Sequence, residues 1–538
     1  MWSDASGKSR NIILWAILFL AFALRAAYLI QLSGTPYGEM LMVDAEVYHL
    51  KAMRILEHGW IWRGASYQAP LYPYLLAAVY SLIAPSPEYV LWIQVAASVA
   101  TVWLIYLIAR RIFSERVALA SGLIAALCGP MVFYSALLLK PTFAMLSMFL
   151  ALYLIVRYCT GGSVWLCAAA GFSLGAASTL RENLLLMAPA FALWALAAVR
   201  PLRRTAGFLA VLALGVALAL SPFVVRNYLV EGELLLTSYQ AGPNFYIGNS
   251  PESKGFYTRF DFARPNPEFE EADFRAEAER AMGRRLRPSE VSRYWFERAF
   301  EGFAEDPWLL PSLLATKLAL YLNDHEIHDN YNFYFMRSLA PVLWAAFVPF
   351  GAILVLALLG IYCSLSRRPE FTLLYVYIAV FSISVVAFYV NSRYRLAVVP
   401  ALIPFAAYFV VQGWRSFIKW GWAKRFVVAV SAIAFGALVF MPYSDRGIHV
   451  SEFKLGVAYQ RRGELDAAAA RFERSMAIVP DYAPAYNHIG EIMDLRGDRP
   501  GAMRMYERAL ELSPDYAAAR LNFESIRSEL GKVPETSD

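Results

Sequence analysis

Asp44 and Glu46 stand two residues apart in Met42-Val43-Asp44-Ala45-Glu46-Val47-Tyr48-His49, shortly after a long apolar segment. A carboxylate at the mouth of a membrane bundle can accept a proton from a hydroxyl or amine, or hold a divalent cation. The plainer reading is a pair of solvated helix-start acids favoured by the helix dipole. A Pro/Tyr-rich stretch, Gln68-Ala69-Pro70-Leu71-Tyr72-Pro73-Tyr74, follows. Cations that would complement an anionic ligand are Lys140, Arg181, Arg226, Arg393 and Arg395. The two last belong to Asn391-Ser392-Arg393-Tyr394-Arg395, and the planar guanidinium fork suits phosphate oxygens. The competing readings are a snorkelling interfacial Lys140, an Arg181 paired with Glu182, and two arginines acting only as interfacial anchors. Asn323-Asp324-His325-Glu326-Ile327-His328-Asp329-Asn330 is dense in potential ligands. His325 and His328 make a metal site conceivable, although a polar loop leading into a membrane span is the commoner explanation of such a run. Phosphate-cradling glycine loops and Ser/His/Asp elbows are absent from the sequence.

These residues must be positioned by a membrane bundle. Hydrophobic residues make up 59% of the 538-residue chain, charged residues 17%, and mean hydropathy is +0.43. That composition places the chain among all-α membrane proteins. A span needs about 20 apolar residues, and about eleven segments approach this: 12–32, 89–108, 117–134, 143–158, 164–180, 184–199, 208–225, 342–362, 371–390, 396–411 and 426–441. Residues 71–84 are too few to cross and read as interfacial. The first span is too long for a cleavable leader and lacks a small-residue cleavage motif. Cys128, Cys159, Cys167 and Cys363 have no metal or disulfide spacing and read as buried thiols. Basic residues crowd alternate loops, among them Arg110, Arg111, Arg116, Arg200, Arg203, Arg204, Lys424 and Arg425. The positive-inside rule then predicts a cytoplasmic N-terminus, with the acidic first loop and the C-terminus outside. Four regions follow: a first membrane block at 1–225 with its loop at 33–88, a mixed extracytoplasmic insert at 226–341, a second membrane block at 342–441, and a tail at 449–532. Within the insert, residues 268–283 and 288–303 have helical periodicity. Arg264-Pro265-Asn266-Pro267 breaks the chain before them.

The tail repeats with a period of 34. Leu455-Gly456 matches Ile489-Gly490, Gly463 matches Gly497, Ala468 matches Ala502, and Phe472 matches Tyr506. Pro480-Asp481-Tyr482 likewise matches Pro514-Asp515-Tyr516. This resembles tetratricopeptide repeats, which usually bind proteins or peptides.

The pattern Asp44-x-x-x-Tyr48-x-x-x-Ala52, then Gly59, then Ala69-Pro70-Leu71-Tyr72-Pro73, resembles the first extracytoplasmic loop of GT-C membrane glycosyltransferases. The protein O-mannosyltransferase and aminoarabinose-transferase families belong to that group. The resemblance spans roughly residues 10–415 and implies a GT-C-type bundle. It implies inverting transfer of a sugar from a polyprenyl-phosphate donor to an extracytoplasmic protein, glycan or lipid at a bacterial inner membrane. Asp44 becomes the candidate base, with Glu46 beside it; the protein O-mannosyltransferases have adjacent acids, whereas Ala45 intervenes here. Lys140, Arg181, Arg393 and Arg395 become candidate ligands of the donor phosphate. Lys140 departs from the acid that several relatives carry in that loop. Tyr48, Tyr72, Glu326 and Asn249, the last in the Gly/Asn-rich run 242–249, become candidate substrate contacts. A divalent metal at Asp44 is compatible with the sequence and is not required by it. Nucleic acid is not an expected partner. The contrasting expectation is a non-catalytic lipid carrier, flippase or membrane scaffold recruiting partners through its tail. Arg25 is the one clear charge deep in a span, where a transporter would want several.

Overall fold

A computed structural model describes residues 7–61, 67–264, 268–366, 368–443 and 447–530. Pro265, Asn266 and Pro267 of the expected break lie outside the described residues, as do the last two residues of the expected tail. The described residues form helices joined by turns, and one isolated bridge links Cys128 to Val348. The chain is a multi-pass membrane protein: among the described residues seven helices are long and apolar enough to cross a bilayer. They are Lys8–Ser33, Pro87–Ile112, Pro141–Cys159, Leu202–Glu231, Pro369–Ala387, Ser392–Lys419 and Trp422–Val439.

The other four expected segments are shorter or interrupted. Trp165–Leu180, Glu182–Ala198 and Phe350–Ser364 are apolar helices of 10–17 residues. The segment 117–134 divides into Glu115–Leu127 and Gly129–Ser135 because Pro130 cannot continue a helix. Backbone groups released at this break cannot be left bare in an apolar layer. Val348 meets that need: its N–H donates to the Leu127 carbonyl at 3.1 Å, and its carbonyl accepts from the Gly129 N–H at 3.1 Å. Residues 71–82 form one short apolar helix, as length alone dictates.

Close packing depends on glycine where Trp165–Leu180 crosses Leu202–Glu231. Gly171 and Gly175 lie four apart on Trp165–Leu180 and face Leu202–Glu231. A Cβ on Gly171 would come within 2.1 Å of the Leu212 carbonyl, and one on Gly215 within 2.1 Å of the Ala168 carbonyl. Small residues at such a spacing let two membrane helices touch backbone to backbone. Arg25 ties the first helix to its neighbours although it is fully buried. Its guanidinium donates to the Ser98 hydroxyl at 2.7 Å and to the carbonyls of Ala21, Ala125 and Ala126. By contrast, the apolar helix Trp422–Val439 is almost wholly exposed.

The insert corrects an expectation: among its described residues it is helical, not mixed. Glu270–Met282 and Pro288–Glu305 appear close to the ranges that periodicity indicates. The Gly/Asn-rich run 242–249 is the helix Ala241–Asn249. Its glycines serve close approach. A Cβ on Gly242 would lie 1.9 Å from the Ser292 carbonyl, and one on Gly248 would lie 2.1 Å from that of Phe388.

The chain separates into two compact units. One comprises Met1–Leu29, Met42–Asn330 and Pro341–Tyr443; the other comprises Ile30–Leu41, Tyr331–Ala340 and Ser444–Asp538. The second therefore takes in two segments that the linear sequence assigns to the first loop and the insert. Tyr37 packs against Tyr331 and Phe335, and Arg462 pairs with Glu39. The tail is a run of antiparallel helices: Ile448–Arg461, Leu465–Ile478, Ala483–Leu495, Arg499–Leu512 and Ala517–Leu530. Its 34-residue period reappears as packing, since Gly456 abuts the Phe472 ring just as Gly490 abuts the Tyr506 ring.

Replacing Gly171 with leucine should cost about 2–4 kcal/mol through backbone separation. Gly207→Ala, on the facing helix where only Val164 lies near, should be close to neutral. Thermal unfolding of the detergent-solubilised protein measures both, and equal melting temperatures would refute the crossing's importance.

Candidate functional site

Asp44 is presented by a strained turn. Val43 has φ 54° and ψ −123°. The Ala45 N–H donates to the Met42 carbonyl at 3.1 Å. Those features describe a type II′ turn with valine at a position that favours glycine. A β-branched residue pays about 1–3 kcal/mol for such a conformation. The turn starts the helix Asp44–His58 and directs Asp44 inward, where it is 8% exposed. Glu46, one turn position on, remains half-buried.

Arg393 arrives from 349 residues away and pairs with Asp44. Its second amino group reaches Asp329 at 2.7 Å. The same Asp329 oxygen accepts from the Asn391 amide at 3.0 Å. A single guanidinium thus bridges two carboxylates supplied by the first loop and by the run before the second membrane block. Burial pushes the Asp44 carboxyl up, but Arg393 and then Lys140 outweigh it and hold the group below the usual carboxylate range.

Two more expected cations lie around this bridge. Arg181 donates to the Arg393 carbonyl at 2.8 Å and sits 4.4 Å from the centre of the Tyr394 ring. Lys140 lies 5.3 Å from the centre of the Tyr48 ring. Burial depresses the Lys140 ammonium, while Glu182 and Asp44 support its charge. Tyr48 and Tyr72 meet edge to face at 5.2 Å, and the Tyr72 hydroxyl donates to Gln94 at 2.6 Å. Both tyrosines are at most 1% exposed, so they form a packed floor rather than an open contact surface.

The remaining candidates lie elsewhere in their contacts. Arg395 pairs with Glu326 at 3.0 Å and donates to the carbonyls of Tyr321, Asn323 and His325. Its guanidinium is consumed in joining the insert to the second membrane block. Burial raises the Glu326 carboxyl despite Arg395. Asn249 is fully buried; its amide donates to Phe245 and Ala387 carbonyls, and its oxygen accepts from Lys317 at 2.8 Å. It is a helix anchor. Arg226 donates to the neighbouring Asn227 side chain. His325 stacks on Tyr443. Among the described residues no group of three His, Cys, Asp or Glu side chains is arranged to hold a metal. Asp44 and Asp329 approach such a pair, but Arg393 lies between them and pairs with both.

Asp329 is the residue sequence reasoning left inside a polar run. Its signal was an acid in a loop on the side expected to hold Arg393. Glu270 was also missed. Burial raises its carboxyl, which accepts from Tyr67 at 3.1 Å, Gln240 at 2.9 Å and Tyr257 at 3.0 Å. Lys317, a single lysine in the apolar helix Leu309–Leu322, was legible as an oddity and not as a contact.

This multi-pass, all-α protein carries a recognisable sequence segment: residues 67–225 match the family model described as dolichyl-phosphate-mannose-protein mannosyltransferase. A search of curated proteins returns no match. Among solved structures, the apo oligosaccharyltransferase of Archaeoglobus fulgidus is similar over 83% of this chain, with 14% identity and a TM-score of 0.46. This chain spans 58% of that protein's length. The archaeal oligosaccharyltransferase AglB from Archaeoglobus fulgidus, in complex with an inhibitory peptide and a dolichol-phosphate, is similar over 86% of this chain and 59% of that one, with 15% identity and a TM-score of 0.41. ArnT from Cupriavidus metallidurans bound to undecaprenyl phosphate is similar over 98% of this chain and 79% of that one, with 11% identity and a TM-score of 0.41.

Asp44's depressed carboxyl contributes stability at neutral pH that disappears only as pH falls through its low folded value. Arg393→Ala leaves the buried Asp44 carboxylate without its cation and beside Asp329, and should cost about 3–5 kcal/mol. Adding Asp44→Asn should restore part of the loss. Unfolding at pH 7 tests this; additive effects of the two changes would refute the pairing.

Proposed function

We propose that the protein is a GT-C-type membrane glycosyltransferase that takes a sugar from a polyprenyl-phosphate donor. The observation that carries the reading is the Asp44–Arg393–Asp329 bridge, flanked by Lys140 and Arg181. The match of residues 67–225 to a lipid-phosphate-dependent mannosyltransferase family supports it.

The bridge suits a donor-triggered reaction. At rest Asp44 shares its charge with Arg393 and is a poor proton acceptor. A donor phosphodiester offers Arg393 a competing bidentate anion, and Lys140 adds a second positive charge. Arg393 then turns toward phosphate, which frees Asp44. The freed carboxylate takes the acceptor's proton as the acceptor oxygen or nitrogen attacks the anomeric carbon. The bond from that carbon to the phosphate oxygen breaks, and its electron pair leaves with polyprenyl phosphate. Attack opposite the leaving group inverts the anomeric centre. Arg393 and Lys140 stabilise the growing phosphate charge. Arg181 holds the Arg393 backbone, Arg395 and Glu326 fix the loop that carries it, and Glu46 remains a helix-start acid.

The charge pattern supports a cytoplasmic N-terminus and a site outside the inner membrane. The 34-residue repeat supports a tetratricopeptide-type tail at 449–532 that recruits an acceptor or an assembly partner.

Purified protein in nanodiscs, supplied with a panel of polyprenyl-phosphate sugars, should release polyprenyl phosphate. Asp44→Asn should lower kcat by about 100-fold or more. Lys140→Ala should mainly raise KM for the donor. Equal turnover in wild type and Asp44→Asn would remove Asp44 from the mechanism. A complete lack of turnover across the panel would favour a scaffold role instead.

A further inference from the structure

The insert contains a cleft of about 750 Å³ that includes none of the residues of the Asp44 bridge. Its volume is within the range of small-molecule sites. Four of its lining rings form a continuous stack. Tyr246 lies 5.2 Å from Phe260, Phe260 lies 5.3 Å from Phe262, and Phe262 lies 5.5 Å from Trp295, with interplanar angles of 30°, 11° and 18°. Trp295 is anchored by its indole N–H on the Phe274 carbonyl, whereas Phe262 and Tyr294 are only partly buried. The last two therefore offer ring surface to the cleft.

Charge surrounds these rings in neighbouring opposite pairs. Arg280 pairs with Glu277, and Arg298 pairs with Glu301 at 3.0 Å. Glu252, Arg259 and Asp261 complete the charged lining. With four acids and three arginines, the lining is nearly neutral in sum. A highly charged ligand gains little from it. A neutral ligand with vicinal hydroxyls gains from both signs, because each hydroxyl can donate to a carboxylate and accept from the adjacent guanidinium. The flat C–H face of such a ligand fits an aromatic surface, and apolar rings with a few fixed polar groups are the usual composition of a ligand site.

We infer that this cleft is a carbohydrate-binding subsite, which takes neutral sugar units of the acceptor. The inference deepens the transferase reading and rests on it for the ligand's purpose. A physical route joins the two sites. The helix Ala241–Asn249 carries Tyr246 on the cleft and Asn244, whose oxygen accepts from Tyr389 at 3.5 Å. Tyr389 in turn hydrogen-bonds Tyr394 at 2.8 Å, next to Arg393. Sugar held in the cleft would thus be placed on an element linked through Tyr389 and Tyr394 to the segment that carries Arg393.

The test is saturation-transfer-difference NMR on the full chain in nanodiscs, without donor, using maltotriose, cellotriose and chitotriose as probes and an unglycosylated hexapeptide as comparison. At least one trisaccharide should bind. Phe262→Ala and Glu277→Gln should each weaken it by about tenfold, with unchanged melting temperature for Glu277→Gln. Asp44→Asn should bind as the wild type does. Absence of binding by all three trisaccharides, binding by the peptide alone, or binding unaffected by both cleft variants would overturn the inference. So would loss of binding in Asp44→Asn, which would put the saccharide at the bridge. Because donor is omitted, failed transfer with intact saccharide binding would count against the transferase reading alone.

Discussion

Arg393 lies between Asp44 and Asp329, and the geometry of the site follows from keeping that guanidinium buried and bridged. Two carboxylates so close would repel one another in a medium of low dielectric. One planar cation with two amino groups answers both, which lysine's single ammonium could not do with the same geometry. The arrangement needs three distant segments at once: the first loop for Asp44, the end of the insert for Asp329, and the start of the Ser392–Lys419 helix for Arg393. Arg181 then holds the arginine's backbone. The strained conformation of Val43 belongs to the same requirement, since its turn directs Asp44 inward.

Other buried cations obey the same rule. Arg25, Arg395 and Lys317 each end on backbone carbonyls or buried polar side chains supplied by other elements. A charge without such partners would be too costly among apolar helices. These contacts also act as ties. Arg25 joins three helices of the first block, Arg395 joins the insert's end to the second block, and Lys317 joins Ala241–Asn249 to the residue after Pro369–Ala387. Gly248 lets Ala241–Asn249 approach the Phe388 carbonyl closely beside the Lys317 tie.

Legibility in the sequence was uneven for physical reasons. Apolar segments of span length appeared as helices because hydrophobicity and length are local properties. The 34-residue repeat was visible because its small residues recur at one offset. Interruptions were harder to read: Pro130 sits in an otherwise apolar segment, and Val348 completes its backbone bonding from more than 200 residues away. The Gly/Asn-rich run 242–249 was harder to assign, because glycine signals both turns and close helix contacts. Which of the two it meant depended on Ser292 and Phe388.

Residue chemistry offered Asp44 and Glu46 together with the cations Lys140, Arg181, Arg226, Arg393 and Arg395, and the resemblance to GT-C transferases singled out Asp44. Neither could say which cation meets which acid. Arg393 and Arg395 are two residues apart and chemically identical, yet one meets Asp44 and Asp329 while the other meets Glu326 and carbonyls. The separation arises because successive positions at a helix start point in different directions. Composition and spacing determined that this chain is a helical membrane protein with a charged loop site and a repeated tail. Tertiary structure decided the pairing of its buried charges, because partner choice depends on distances between segments that the linear order does not contain.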